Sequence, residues 1–234
     1  MKNFNQRQAQ RAELQNQMGQ RRRKPANFTG QSFDRVVNFS DAVVAIALTI
    51  LVLPLTEIVP EFAGKNFGQI VAQYGEQFVA MAVSFFVIGR MWLSHHRLFD
   101  RLRSIDSTMV MLNLTWLFFI VMLPFFVELL VSDVDKSLAL ALYVGNIWLN
   151  ALVLGIINRR ALRQPEMLED KSGNDDVHSW TSVGFTTVIF GIVLAFPNLG
   201  VWPVVLFFFQ GVFWRVLMFR GMRRSGGKNF EKNN

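Results

Sequence analysis

The chain has 234 residues, 51% of them hydrophobic and 23 of them phenylalanine, with a net charge of +7 and no cysteine. Its charged residues gather into a few clusters between long apolar runs, which excludes a soluble domain and fits a polytopic membrane chain. Without cysteine there are no disulfides, no thiolate metal site and no thiol nucleophile. The positive charge is no sign of a nucleic-acid partner, because basic clusters beside membrane helices set topology and touch anionic lipid headgroups.

The N-terminal arm, residues 1–34, is Gln- and Arg-rich, and up to about Asn27 it reads as disordered or partly helical. It lacks an apolar h-region, so no cleavable signal peptide is expected and the first span would itself direct insertion. Six spans follow, at about 35–55, 75–96, 107–130, 137–159, 179–196 and 201–220. Together they make one membrane domain, 35–220, followed by a short tail, 221–234. Spans five and six are joined only by Pro197-Asn-Leu-Gly200, which makes them an antiparallel hairpin.

Lys and Arg set the orientation. Arg21, Arg22, Arg23 and Lys24 precede the first span, and Arg97, Arg101 and Arg103 follow the second. Arg159, Arg160 and Arg163 follow the fourth, and Arg220, Arg223 and Arg224 follow the sixth. The other connections offer only Lys65 and Lys136. This alternation predicts six spans with both termini in the cytoplasm. The polar segment 164–177, with Asp170, Asp175 and Asp176 beside Gly173, reads as a solvated connector in preference to a cation site.

The head of the first span is unusual: Arg35-Val-Val-Asn-Phe39-Ser40-Asp41 runs directly into an aliphatic segment through Leu53. Charge against a membrane helix is costly and usually marks a pathway. At about 100° per residue, Ile46, Ile50 and Leu53 form one stripe, Thr49 lies about 60° to one side, and Asp41 points about 140° from Ile46. On periodicity alone such a stripe reads as lipid- or helix-facing more readily than as a pore wall.

The pattern Arg-x-x-x-Phe-Ser-Asp at this position resembles the signature of the endolysosomal transmembrane potassium-channel family, and a single six-helix copy resembles its bacterial branch. The resemblance implies an all-α fold with six transmembrane helices per subunit, a homotetramer, and first helices around a central pore in a bacterial inner membrane. It implies that Ile46, Ile50 and Leu53 form the constriction and that potassium is the permeant ion. No Thr-Val-Gly-Tyr-Gly filter is present, so selectivity would come from dehydration in a tight ring, with the Thr49 hydroxyl beside it. Trp92, His95 and His96 at one end of span two, and Asn113 and Trp116 on span three, lie at the depth of Arg35, Ser40 and Asp41. One polar network joining the three helices is the economical way to satisfy them.

Other chemistries fit less well. Three histidines without cysteine make no convincing metal set, and no nucleophile comes with a base and an orienting partner, so neither a metal or other cofactor nor an enzyme is expected. A proton-coupled secondary transporter using Asp41 and His96 is the alternative; the lack of a helix break before Pro54 disfavours it. A non-conducting membrane scaffold is a third reading.

Overall fold

A computed structural model describes residues 27–169 and 175–196. The expected sixth span, the tail and most of the N-terminal arm lie outside the described residues. So does the middle of the 164–177 connector.

Helix α1 spans Gln31–Ile50 and starts from a turn at Gly30, whose φ of 52° favours a residue without Cβ. Residues 27–34, expected in the arm, are therefore already structured: Asn27–Thr29 forms strand β1, and the helix begins before Arg35. At the other end, Pro54 has no N–H to offer the Ile50 carbonyl. The chain tightens at Leu51 and Val52, where the Val52 amide bonds Thr49 O at 3.2 Å, and continues as a short helix, α2, Leu53–Glu57.

A 3-10 turn at Val59–Phe62 leads to helix α3, Phe67–Phe99. It starts eight residues before the expected boundary at 75. The reason is a capping box, in which Asn66 accepts from the Gln69 amide at 3.0 Å and the Gln69 side chain accepts from the Asn66 amide at 2.9 Å. The Gly- and Gln-containing first turns look like loop in sequence, but the box satisfies their free amides. At about 1.5 Å per residue, 33 residues reach well beyond a hydrocarbon core of about 30 Å.

Strand β2, Ser104–Asp106, pairs antiparallel with β1 and leads into helix α4, Ser107–Val131. Helix α5, Lys136–Arg163, returns alongside α4, and α6, Asp175–Ala195, packs on α5. Four of these segments are long and apolar enough to cross a membrane: Gln31–Glu57, Phe67–Phe99, Ser107–Val131 and Lys136–Arg163. Ser182–Ala195 is a shorter apolar stretch. The core is built from Val87, Ile88, Ile105, Met109, Ile120, Leu123 and Ile157, all fully excluded from solvent. Gly145 lets α5 approach α6, since a Cβ there would lie 3.3 Å from the Phe190 ring.

One end of the bundle is stitched together by its connections. The Arg103 amide bonds Met167 O and the Glu169 amide bonds Arg101 O, both at 2.9 Å. Asp106 is completely buried there. It caps α4 through the Met109 amide at 2.8 Å and receives the Arg160 guanidinium through both carboxylate oxygens. Burial pushes the Asp106 carboxyl up, but the bonds from Arg160, Met109 and Gln164 together outweigh it and hold the group below its usual range.

A carboxyl whose pKa is lower folded than unfolded stabilises the fold above its unfolded value, near pH 4, and loses that contribution as pH falls through its folded value. Thermal unfolding in detergent should therefore show wild-type stability dropping as pH is lowered below about 4. Asp106→Asn should start less stable at neutral pH and show a flatter acid dependence.

Candidate functional site

Helix α1 has two contrasting faces. Phe33, Ser40, Val44 and Ala47 are buried against the bundle, and α1 packs on α4 and α3. The opposite flank is bare: Phe39, Ile46, Ile50 and Leu53 are all exposed, Ile46 at 58%. Arg35 and Glu57 are also exposed and share this flank by helical register. The stripe thus has an aliphatic middle, a cation at one end and a carboxylate at the other. Thr49 is exposed beside it, and its hydroxyl donates to Ile46 O at 2.8 Å. Its proton is committed, so the oxygen that remains can only accept.

On the buried face a chain of hydrogen bonds crosses three helices. His95 Nε2 lies 2.8 Å from Asn113 Oδ1, Asn113 Nδ2 donates to Ser40 Oγ at 2.8 Å, and Ser40 Oγ donates to Val36 O at 2.8 Å. All three side chains are buried. Because the Ser40 proton goes to Val36, Ser40 can only accept from Asn113. The Asn113 oxygen must then accept from His95, which requires a proton on Nε2. The His95 ring is clamped between Phe99 and Trp116, with centroids at 4.1 and 4.2 Å.

Asp41 belongs to a second, half-buried cluster. Its carboxylate accepts from Trp92 Nε1 at 2.8 Å, Trp92 stacks on His96 at 5.2 Å, and His96 Nε2 reaches Asp100 at 3.3 Å. The sequence reading expects one network; the structure divides it. Ser40, His95 and Asn113 meet in the interior, whereas Asp41, Trp92 and His96 meet at its margin. The split follows from adjacency: Ser40 and Asp41, like His95 and His96, point about 100° apart on their helices. Arg35 takes part in neither set, and Phe39 points away from both.

Two further asparagines escape the sequence reading. Asn146 and Asn150 on α5 donate to Phe119 O at 2.9 Å and Trp116 O at 3.1 Å on α4. Their i, i+4 spacing in an otherwise apolar helix was the available signal. They fix the helix that carries Asn113. Ser84 and Tyr143 make another buried pair at 3.0 Å, between α3 and α5.

With this geometry in view, similarity to known proteins is informative. Residues 35–124 match the family model for the endosomal/lysosomal potassium channel TMEM175. A rat protein named endosomal/lysosomal proton channel TMEM175 is 33% identical over 116 residues, 48% of this chain and 23% of that protein. A Streptomyces collinus protein named a potassium channel is 34% identical over 113 residues, 47% of this chain and 54% of that one. A Chryseobacterium protein, also named a potassium channel, is 29% identical over 129 residues, 55% of this chain and 65% of that one. The chain spans about a quarter of the animal relatives' length and just over half of the Streptomyces relative's. The crystal structure of a lysosomal potassium-selective channel TMEM175 homolog from Chamaesiphon minutus superposes with a TM-score of 0.59 at 22% identity, covering 83% of this chain and 98% of that one. The family-model match thus falls on α1, α3 and most of α4, and the fold is similar to that of the Chamaesiphon minutus protein over 83% of the chain.

Removing the central amide should expose how the site is held. Asn113→Ala leaves Ser40 and His95 without a shared partner, at a cost of about 1–3 kcal/mol. Asp41→Asn, which keeps an oxygen for Trp92, should cost less than Asp41→Ala. Thermal melts of the three purified variants rank these effects.

Proposed function

We propose that this chain is one subunit of a homotetrameric, potassium-permeable cation channel in a bacterial inner membrane, with both termini in the cytoplasm. The α1 helices of four copies surround the axis, and Ile46, Ile50 and Leu53 form the constriction. The observation that carries this reading is the division of α1: one face is fixed by buried hydrogen bonds and packing, and the other is an aliphatic stripe with charged ends. Arg35 and Glu57, in register with the aliphatic residues and at either end of them, suit the polar mouths that a dry bore needs. Potassium as the permeant ion rests on the names of the bacterial relatives.

Selectivity in such a bore comes from the cost of stripping hydration in a narrow apolar ring. Thr49, whose oxygen can only accept, offers a contact that suits a cation. The polar residues behind α1 then serve to hold its rotation. Alternating-access transport with Asp41 and His96 as a titrating pair has less support: α1 runs unbroken to Ile50, and His96 bonds Asp100 while Trp92 lies between it and Asp41. Proton permeation is the second reading, favoured by the name of the animal relatives.

Single-channel recording in planar bilayers tests the constriction. Ile46→Asn should raise conductance severalfold and weaken discrimination between potassium and sodium; unchanged current and selectivity would remove this face from the pore. Imposed gradients separate the two ions. A reversal potential that follows the potassium gradient and ignores pH supports the first reading, and one that tracks pH supports the second. His96→Gln should still conduct potassium.

A further inference from the structure

Beyond the constriction, the stripe on α1 does not end at Leu53. Glu57 follows it by four residues, one turn or about 6 Å further along the axis; it is exposed and falls on the same side by helical register. Leu51 and Val52 keep right-handed helical dihedrals at the junction, so the helical register carries from α1 into α2 past Pro54. Among the described residues its carboxylate forms no ion pair. The two lysines described at this end of the molecule are committed elsewhere. Lys65 lies 3.3 Å from the Tyr74 hydroxyl and 5.1 Å from the centre of its ring. Lys136 is held by Glu76 at 3.2 Å and by Leu130 O at 2.8 Å. Among the described residues, Glu57 is therefore a carboxylate without a cationic partner, in register with the proposed bore.

We propose that Glu57 forms an acidic ring at the outer mouth, one carboxylate from each subunit, which concentrates cations ahead of the Ile46–Leu53 constriction. This rests on the channel reading above and adds to it a residue that sets throughput. A bore lined with aliphatic side chains has nothing to attract an ion, so the rate of entry depends on the local concentration at its mouth. Like charges gathered around a low-dielectric opening focus their field there and raise that concentration. Rings of Asp or Glu do this in cation pores. The effect is screened by salt, with a Debye length of about 10 Å at 0.1 M and about 3 Å at 1 M.

The test is single-channel conductance of the full-length protein in neutral-lipid bilayers, measured against potassium chloride concentration. Glu57→Gln should lower current entering from the Glu57 side by about two- to fivefold at tens of millimolar salt and converge with wild type near 1 M, where screening is strong. The absence of native cysteine allows a second approach. Glu57→Cys modified with a sulfonate-bearing methanethiosulfonate should recover the low-salt current, and a trimethylammonium-bearing reagent should depress it further. A conducting channel whose low-salt current is indifferent to the charge at position 57 would overturn this proposal and leave the Ile46 constriction standing. A wild-type protein that passes no ions would overturn both.

Discussion

Asn113 is one carboxamide buried where α1, α3 and α4 meet, and the arrangement of the first helix depends on it. Its oxygen is bonded to His95 and its nitrogen to Ser40. A hydrogen bond inside a bilayer has no water to fall back on, so each partner is held by the prospect of being left unpaired. The bonds also have only one consistent direction, from His95 through Asn113 to Ser40 and on to the Val36 carbonyl. Rotating α1 by one residue would bring Asp41 or Phe39 to Asn113, a charge or an apolar ring in place of a hydroxyl. The interior bonds therefore fix which residues of α1 face away from the bundle.

Asn146 and Asn150 extend that control to the backbone of α4, and aromatic packing completes it. His95 lies between two rings, and Phe99 in turn stacks on Phe33 at 6.3 Å. A histidine enclosed in this way acts as a spacer with one polar edge. At the other margin, Asp41, Trp92, His96 and Asp100 form a second set nearer the solvent. Two adjacent dipeptides, Ser40-Asp41 and His95-His96, thus serve two environments because successive residues on a helix face different ways.

Much of this was legible in the sequence, and the reasons are physical. Hydropathy gives the four long apolar segments because bilayer thickness imposes their length. The aliphatic stripe on α1 is a matter of helical geometry. Partner identity is not: Trp92 for Asp41, and Ser40 for Asn113, depend on crossing angles between helices that no periodicity encodes. The early start of α3 was written in Asn66 and Gln69, yet the glycines around them spoke more loudly for a loop. The β1–β2 ribbon joins segments 75 or more residues apart through three-residue strands, too short and too distant for any local pattern to announce.

That ribbon gives α1 mechanical properties. Gly30 and β1 tie its first turn to β2, and the buried bonds at Ser40 hold it ten residues further on. Beyond Pro54 the chain has little to grip: neither α2 nor the 3-10 turn after it contains a buried residue. Between Ser40 and the proline, Val44, Ala47 and Leu51 stay buried, so the helix is held as far as Leu51 and only the segment beyond it is loosely held. At about 1.5 Å per residue, Leu53 and Glu57 stand about 3 and 9 Å beyond Leu51. A bend of about 20° there would carry Glu57 through about 3 Å while Ile46 and the hydrogen bonds at Ser40 stay in place.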